Sequence, residues 1–322
     1  MRESLCEGGF NPQFQAKFTP QCKPESKLKF EKIYIEISDY CGLKCGFCPS
    51  ANMEQRRGAM DLELFEKICY EIRSHTKRVC LHILGDPLGV QDFISYVEIL
   101  KKYHLAVELV TTGLFLQEWH FELLTQKPFV QVAFSLSAFL ANENLLKKRH
   151  LEQILKFCAF NLSQNSPIFV NLRLHSDDIF ADSVKFRVLC GFVARFFGLD
   201  SNVFMESLKK GRVRLGAKVF ANPKTSFEWE QSSGVKTYRL KAQKSNIKVF
   251  CYGAIKQFGI LSNGNVVPCC IDHGGKTSFG NVREQGIREI LQSKKFVDFA
   301  LALKHGKAPC ELCEKCGYRL IL

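Results

Sequence analysis

Three cysteines stand within eight residues near the beginning of the chain. Cys41, Cys45 and Cys48 are separated by three and then by two residues. Thiolates bind zinc and iron–sulfur clusters, and a structural zinc ion normally takes four protein ligands. Three thiolates on one loop can instead hold three irons of a cubane and leave the fourth iron open. The spacing favours an iron–sulfur site. The alternative is a zinc loop whose fourth ligand is a remote residue, because no fourth ligand lies nearby and the next histidine along the chain is His75.

A second group of cysteines lies near the end of the chain. Its members are Cys251, Cys269, Cys270, Cys310, Cys313 and Cys316. Taken alone, Cys-x2-Cys spacings are commonest in zinc ribbons. Between the cysteines, apolar residues flank an Asn-Gly pair at positions 263–264, which predicts a β-hairpin. Grouping of this kind indicates metal ligands rather than packing.

The other cysteines are solitary. They are Cys6, Cys22, Cys69, Cys80, Cys158 and Cys190, and the last four stand in apolar runs, where a cysteine usually packs as a small buried residue. The total of 15 is odd, which argues against a complete disulfide framework. The first residues carry acids and no apolar signal-peptide core, and the nearly apolar run 129–141 is shorter than the ~20 residues of a membrane span. We therefore expect a reducing, cytoplasmic location and no membrane partner.

Strands and helices alternate between the two cysteine groups. Predicted strands cover 33–38, 78–84, 106–111, 129–135 and 168–174, and predicted helices cover 62–74, 93–103, 118–125, 145–160 and 183–197. This alternation predicts an α/β fold with a parallel sheet. Five or six units are too few for the usual eight-unit barrel of ~250 residues, so we predict a partial TIM-like (β/α)6 barrel. The first cysteine group follows the first strand, at the end where such barrels carry their chemistry.

The chain divides into four predicted segments. An N-terminal extension covers 1–29, the partial barrel 30–205, a basic connector 206–249 and a small cysteine-rich domain 250–322. The net charge is +13, and residues 205–250 account for +8 of it with eleven Lys or Arg and three Glu. Phe227, Trp229 and Tyr238 are interleaved, a pattern that can bind acidic peptide or single-stranded nucleic acid. A solvated face is the favoured interpretation, and nucleic acid is the less favoured partner.

The 41–48 loop, with Phe47 before its last cysteine, resembles the signature of the radical SAM superfamily. Residues 85–88 follow the second strand, where the family has a Gly-Gly-Glu-Pro-like segment, and 111–113 follow the third strand, where it has Thr-Asn-Gly. The segment 57–60 is also family-like. The chain departs from the family pattern at Leu84, Asp86 and Thr112.

This resemblance implies a [4Fe–4S] cluster held by Cys41, Cys45 and Cys48. Its open iron would bind S-adenosylmethionine, and reduction would release a 5′-deoxyadenosyl radical that abstracts hydrogen from a substrate. The implied cofactor contacts are Phe47, Gly85, Asp86, Pro87, Thr112, Ser135 and Ser137, with Arg173 as a further candidate. Core packing is the less favoured interpretation of Phe47, whereas a helix cap or turn is an equal alternative for each of the two serines. His82 could face the barrel or hydrogen-bond within the core.

The cysteine-rich end resembles the SPASM or shorter twitch extension of radical SAM proteins, which carries auxiliary [4Fe–4S] clusters. The six thiols suffice for one auxiliary cluster and not for two. We expect Cys251, Cys269, Cys313 and Cys316 to bind it, with Cys310 and Cys270 as substitutes. Asp272 is a candidate catalytic base near this cluster, or an exposed capping residue.

Together these features predict a radical SAM oxidoreductase or maturase. The SPASM-like end favours a peptide or protein that is oxidised or crosslinked; the substrate could also be a small molecule, and it could be acidic. A reductant such as flavodoxin or ferredoxin is implied. The alternatives are an RNA-modifying radical SAM enzyme and a non-catalytic protein that binds zinc or a cluster.

Overall fold

The computed structural model describes residues 28–53, 55–226 and 250–321. The predictions for Cys6, Cys22 and the aromatic residues between 227 and 249 lie outside this part. So do five of the eleven basic residues of the 205–250 stretch, namely Lys236, Arg239, Lys241, Lys244 and Lys248.

In the described part, one nine-stranded sheet runs in the order β6-β7-β5-β4-β3-β2-β1-β8-β9. The strands are β1 (Lys32–Ile35), β2 (Arg78–Cys80), β3 (Ala106–Thr111), β4 (Phe129–Ser135), β5 (Phe169–His175), β6 (Val213–Arg214), β7 (Val219–Lys224), β8 (Gln257–Ile260) and β9 (Val266–Val267). All neighbours from β7 to β8 pair in parallel, and β6 and β9 pair antiparallel at the two ends. The five strands predicted in the barrel region are all present.

The sixth barrel strand lies beyond residue 205. β7 pairs in parallel with β5, from Val170 opposite Val219 to His175 opposite Lys224. The segment 206–249, predicted to be a connector, therefore contributes two strands in its described part. Val219 and Ala221 are fully buried and alternate with the partly buried Phe220 and Asn222, a period-two strand signal that the surrounding lysines and arginines obscured.

The described part contains eleven α-helices. They are α1 (Leu62–Ile72), α2 (Phe93–Lys102), α3 (Trp119–Leu124), α4 (Ser137–Ala141), α5 (Lys148–Ser163), α6 (Ser176–Ala181), α7 (Val184–Phe196), α8 (Ser201–Lys210), α9 (Ile287–Gln292), α10 (Lys294–Lys304) and α11 (Glu311–Glu314). Asp61 caps α1 as expected, because its side chain accepts a hydrogen bond from the Leu64 amide. The solitary cysteines Cys69, Cys80, Cys158 and Cys190 are buried, as predicted.

The two faces of the sheet differ in character. Ile33 and Ile35 of β1 join the main apolar core, whereas Tyr34 points to the opposite side. Residues that pair in register share a face of a parallel sheet. The face opposite the core is called the inner face here, and its register-aligned members include Tyr34, Cys80, Glu108, Ser135, Arg173 and Lys224.

The cysteine-rich end continues the barrel sheet. β8 pairs in parallel with β1, and the predicted Asn-Gly turn connects β8 to β9. Gly264 occupies this turn with a φ of +96°, a conformation that favours glycine. By length and composition, no single described helix could cross a membrane; the bent pair of α7 and α8 alone passes that test as a unit.

Candidate functional site

The first cysteine group lies on the loop that leaves β1. Cys45 is buried, and Cys41 and Cys48 are partly buried. The Cys48 amide donates to the Cys45 carbonyl at 2.9 Å, which closes a tight turn between the two. Asn142 stabilises this turn from α4's end: its Nδ2 donates to the Cys45 Sγ at 2.9 Å, and its Oδ1 accepts from the Lys44 amide at 3.1 Å. The sequence contains no local signal for Asn142, which stands almost a hundred residues away.

These thiols suit a positively charged metal centre. Burial raises the pKa of Cys41 to about 12 and that of Cys45 to about 11, so both are protonated at neutral pH without a metal. Metal binding displaces such protons, because the thiolate is the ligand. Within the described residues, no three Cys, His, Asp or Glu side chains are placed to share one metal ion. Thiolates around one tetrahedral zinc lie about 3.8 Å apart, from bonds of about 2.3 Å, whereas the thiolates of a cubane bind different irons and stand further apart.

The segment after β2 packs directly against this loop. Gly85 has a φ of +75°, and a Cβ at this position would lie 2.2 Å from the Ser38 carbonyl oxygen. The neighbouring Asp86 amide donates to the Tyr40 carbonyl at 2.8 Å. The segment predicted to contact S-adenosylmethionine therefore adjoins the loop predicted to hold the cluster, as their common chemistry requires.

Asp86 joins the ends of β2 and β3. Its carboxylate accepts from the Thr111 hydroxyl at 2.7 Å, the Thr112 amide at 2.8 Å, the Thr112 hydroxyl at 2.6 Å and the Leu88 amide at 3.2 Å. A carboxylate has about four lone-pair sites, and these donors occupy them. Burial raises the pKa of Asp86, while the Thr112 hydrogen bonds oppose that shift. The side chain thus fixes the two strand ends, and the cofactor contacts of Gly85, Asp86, Pro87 and Thr112 stay predictions.

A buried ion pair connects three parts of the site. Glu36, fully buried after β1, accepts from Arg57 Nε at 2.9 Å and from Arg57 Nη2 at 3.1 Å. It also accepts from the Leu84 amide at 3.2 Å and the Ser262 amide at 3.3 Å. Asp39 holds the same arginine loop through the Arg57 amide at 2.7 Å. Neither Glu36 nor Asp39 is among the residues predicted from the sequence, although an acid within an apolar strand is a signal for Glu36.

The ends of β4 and β5 hold the remaining predicted cofactor contacts. Ser135 lies opposite Arg173 in the sheet. The Ser137 hydroxyl accepts from the His175 amide at 2.8 Å, so this serine ties the two strand ends together. Phe47 reaches the same place, with its ring edge-on to His175 at 4.5 Å between centroids. Burial and the nearby Arg173 lower the pKa of His175 to about 4, so the ring is neutral at pH 7.

The inner face carries polar groups near β1 and the end of β2. His82 packs edge-on against Tyr34 with centroids 5.6 Å apart, which places it at the inner face. Its Nδ1 is buried and has no hydrogen-bond partner among the described residues. Burial lowers the pKa of His82 to about 3. Tyr34 also forms a hydrogen bond with Cys270, so this thiol lies at the inner face.

The second cysteine group assembles beside β8 and β9. All six of its thiols are partly buried. Burial raises the pKa of Cys313, with further contributions from Cys310, Cys251 and Cys316, and that of Cys269 rises through burial, Cys270, Cys251 and Cys316. Cys310 accepts a hydrogen bond from the Thr277 hydroxyl at 3.5 Å. The structure thus places the four predicted ligands in one neighbourhood, and the choice among the thiols stays a prediction.

Asp272 is buried rather than exposed. Its two carboxylate oxygens accept from the Lys276 and Thr277 amides, each at 2.8 Å. This is the capping role that the sequence suggested as an alternative, performed in the interior. The carboxylate holds the 272–277 turn, which presents the Thr277 hydroxyl to Cys310. A role for Asp272 as a base stays a prediction.

Comparisons with known proteins agree with this arrangement. Residues 251–317 match the family model described as SPASM, an iron–sulfur cluster-binding domain. Over 294 residues the chain is 22% identical to an S-adenosyl-L-methionine-dependent 2-deoxy-scyllo-inosamine dehydrogenase of Niallia circulans. The match covers 89% of this chain and 93% of that protein.

Solved structures share the fold. Streptococcus suis SuiB bound to S-adenosylmethionine has a TM-score of 0.57 at 16% identity, and the match covers 91% of this chain and 72% of that one. The protein anSMEcpe with bound AdoMet has a TM-score of 0.59 at 15% identity, covering 89% of this chain and 86% of that one. The predicted partial barrel with a small C-terminal iron–sulfur domain is confirmed.

Proposed function

We propose that this chain, a radical SAM enzyme with a C-terminal SPASM-type iron–sulfur domain, oxidises or crosslinks a peptide or protein substrate. Its cofactors are S-adenosylmethionine, the [4Fe–4S] cluster that binds it and an auxiliary [4Fe–4S] cluster. When bound, they supply a 5′-deoxyadenosyl radical and a path for electrons. We further propose a reducing, cytoplasmic location and an external reductant such as flavodoxin or ferredoxin.

One observation carries this proposal: both cysteine groups adjoin β1, whose Tyr34 lies on the inner face. The 41–48 loop leaves the end of β1, while Cys270 reaches Tyr34 on the same strand from the C-terminal domain. A substrate on the inner face can lose a hydrogen atom on one side and an electron on the other, with a proton released to solvent. Loss of one hydrogen atom, one electron and one proton is a two-electron oxidation. Such an oxidation makes a double bond or a crosslink.

The residues of this chain hold and shield that reaction. Asn142 orients Cys45, and Asp86 fixes the ends of β2 and β3. Glu36 connects Leu84, after β2, to Ser262 of the C-terminal hairpin. Phe47 and His175 close the end of β5 with an edge-on ring pair. Rigid packing of this kind keeps a reactive group in place and excludes competing reactions.

A peptide substrate is supported by two structures of the same fold. SuiB is known bound to its precursor peptide SuiA, and anSMEcpe bound to the Cp18Cys peptide. A second candidate is dehydrogenation of a small hydroxylated molecule, which the relative of Niallia circulans favours because its match spans 89% of this chain.

The substrate class can be tested without knowing the product. Hydrogen abstraction transfers an atom from the substrate to the 5′-deoxyadenosyl group. We expect the reduced, reconstituted enzyme to form deuterated 5′-deoxyadenosine from a pool of peptides with deuterium at carbon. Matched arms use deuterated polyols and aminocyclitols, and deuterated RNA. Deuterium transfer to 5′-deoxyadenosine from the polyols and aminocyclitols alone would support the second candidate. Transfer from RNA alone would overturn both candidate functions.

A further inference from the structure

Two cations lie side by side on the inner face near the carboxyl ends of the strands. Arg173 belongs to β5 and Lys224 to β7, and their strands pair so that Asn222 lies opposite Arg173 and Lys224 lies opposite His175. Both side chains are partly buried. Arg173 also lies opposite Ser135, next to the predicted cofactor contacts. The pair therefore borders the space in which a substrate must lie.

Neither cation has an ion-pair partner in the described part of the chain. Among the register-aligned residues of this face the acid is Glu108, which is already bound by Arg78 at 2.9 Å and by Lys32 at 3.5 Å. Burial and the neighbouring Arg173 lower the pKa of Lys224, and burial lowers that of Arg173. Partly buried charges are normally paired, because removing them from water is unfavourable.

The same space contains an unsatisfied polar atom. His82 Nδ1 is buried and lacks a hydrogen-bond partner among the described residues, and Arg173 is close enough to lower the pKa of its ring. The neutral imidazole offers one donor and one acceptor. Within the described residues, two cations thus lack a carboxylate partner and a nearby ring nitrogen lacks a hydrogen bond. These unpaired groups indicate a ligand-binding space and not a closed core.

We propose that Arg173 and Lys224 form a subsite that binds a carboxylate of the substrate. The proposal rests on the proposed function and narrows it to an acidic substrate, with the side-chain or terminal carboxylate of a peptide as the group bound. A guanidinium and an ammonium together give the charge-assisted hydrogen bonds that suit this group. The carboxylate of S-adenosylmethionine is the competing occupant, and the experiment separates the two.

The probes are an acetylated, amidated triglutamate peptide and the matched triglutamine peptide. Binding of each to the reconstituted holoenzyme with saturating S-adenosylmethionine is measured by calorimetry, and the dissociation constant of S-adenosylmethionine is measured separately. We expect triglutamate to bind more tightly than triglutamine. Lys224→Met and Arg173→Met should each weaken triglutamate binding by about ten- to hundredfold, the loss typical of a hydrogen bond to a charged group.

Controls distinguish recognition from damage to the fold. Lys210→Met removes the same charge from an exposed position on α8 and should leave triglutamate binding unchanged. Lys224→Arg keeps the charge and should retain most of the binding. The thermal unfolding midpoint of each variant is also measured, and a midpoint equal to that of the wild type shows that the fold persists.

Three outcomes overturn the subsite. They are equal binding of the two peptides by the wild-type enzyme, an unchanged triglutamate affinity in both methionine variants, and a tenfold or greater loss of S-adenosylmethionine affinity in Lys224→Met. Failure of the proposed function is distinguishable, because no deuterium would then pass from the peptide pool to 5′-deoxyadenosine, whereas the two binding measurements do not depend on turnover.

Discussion

Replacing Gly85 by alanine tests how closely the segment after β2 must approach the cluster loop. Gly85 has a φ of +75°, and a Cβ there would meet the Ser38 carbonyl oxygen at 2.2 Å and the Tyr40 carbonyl oxygen at 2.9 Å. Gly58 is a matched control in the same site: its φ is +82°, but a Cβ there would meet nothing within 4 Å. The two substitutions share the backbone strain and differ in the steric clash.

The expected costs follow from this difference. Left-handed backbone costs an alanine about 1–2 kcal/mol at either position. At Gly85 the obstructing atoms are backbone, which cannot rotate away, so the cysteine loop must move and overpacking adds about 1–3 kcal/mol. We expect Gly58→Ala to lower the free energy of unfolding by about 1–2 kcal/mol and Gly85→Ala by about 2–5 kcal/mol.

Gly85→Ala should also slow catalysis, because it displaces the cysteine loop. A displacement on the order of 1 Å at a reacting centre can reduce the rate about a hundredfold. Denaturant unfolding of both variants, together with the rate of 5′-deoxyadenosine formation at saturating S-adenosylmethionine, measures both effects. Equal unfolding free energies and equal rates for Gly85→Ala and Gly58→Ala would refute the close approach.

Three further predictions follow from buried groups. Burial lowers the pKa of His120 to about 4, below its unfolded value near 6.5, so the free energy of unfolding falls as the pH drops through this window. In denaturant unfolding between pH 7.5 and 5, the His120→Gln variant should lose about 2 kcal/mol less of this free energy than the wild type does. Glu36→Gln leaves the Arg57 guanidinium without its charge partner and should cost about 3 kcal/mol in the same assay, and the double variant with Arg57→Met should cost less than the sum of the single changes. After reconstitution, Cys270→Ser should retain about eight irons per chain, whereas Cys316→Ser should lose the auxiliary cluster and retain about four. The reverse pattern would show that Cys270 and not Cys316 is the ligand.

The sequence predicts the barrel strands well because they carry apolar runs of their own. Five strands and the cap at Asp61 follow from local patterns. β7 was missed because Lys218 precedes it, Lys224 ends it, and its buried residues are only Val219 and Ala221. Pairing with β5, a tertiary contact, decides its structure, and local composition does not report it.

The site is predictable to the same degree. Cysteine spacing identifies both ligand groups, because the ligands of each group lie near one another along the chain. Asn142 and Glu36 act across 97 and 226 residues, on Cys45 and Ser262, and no local pattern reveals such partners. Asp86 was selected by resemblance, but the four donors around its carboxylate are visible only in three dimensions.

Iron content and cleavage of S-adenosylmethionine together test whether two iron–sulfur centres flank the inner face and whether the first one cleaves S-adenosylmethionine. Anaerobic reconstitution should give about eight irons per chain, and reduction should yield 5′-deoxyadenosine. Changing Cys41, Cys45 and Cys48 together to alanine should leave about four irons and abolish 5′-deoxyadenosine. Stoichiometric zinc in place of iron, or undiminished 5′-deoxyadenosine from the triple variant, would contradict the claim.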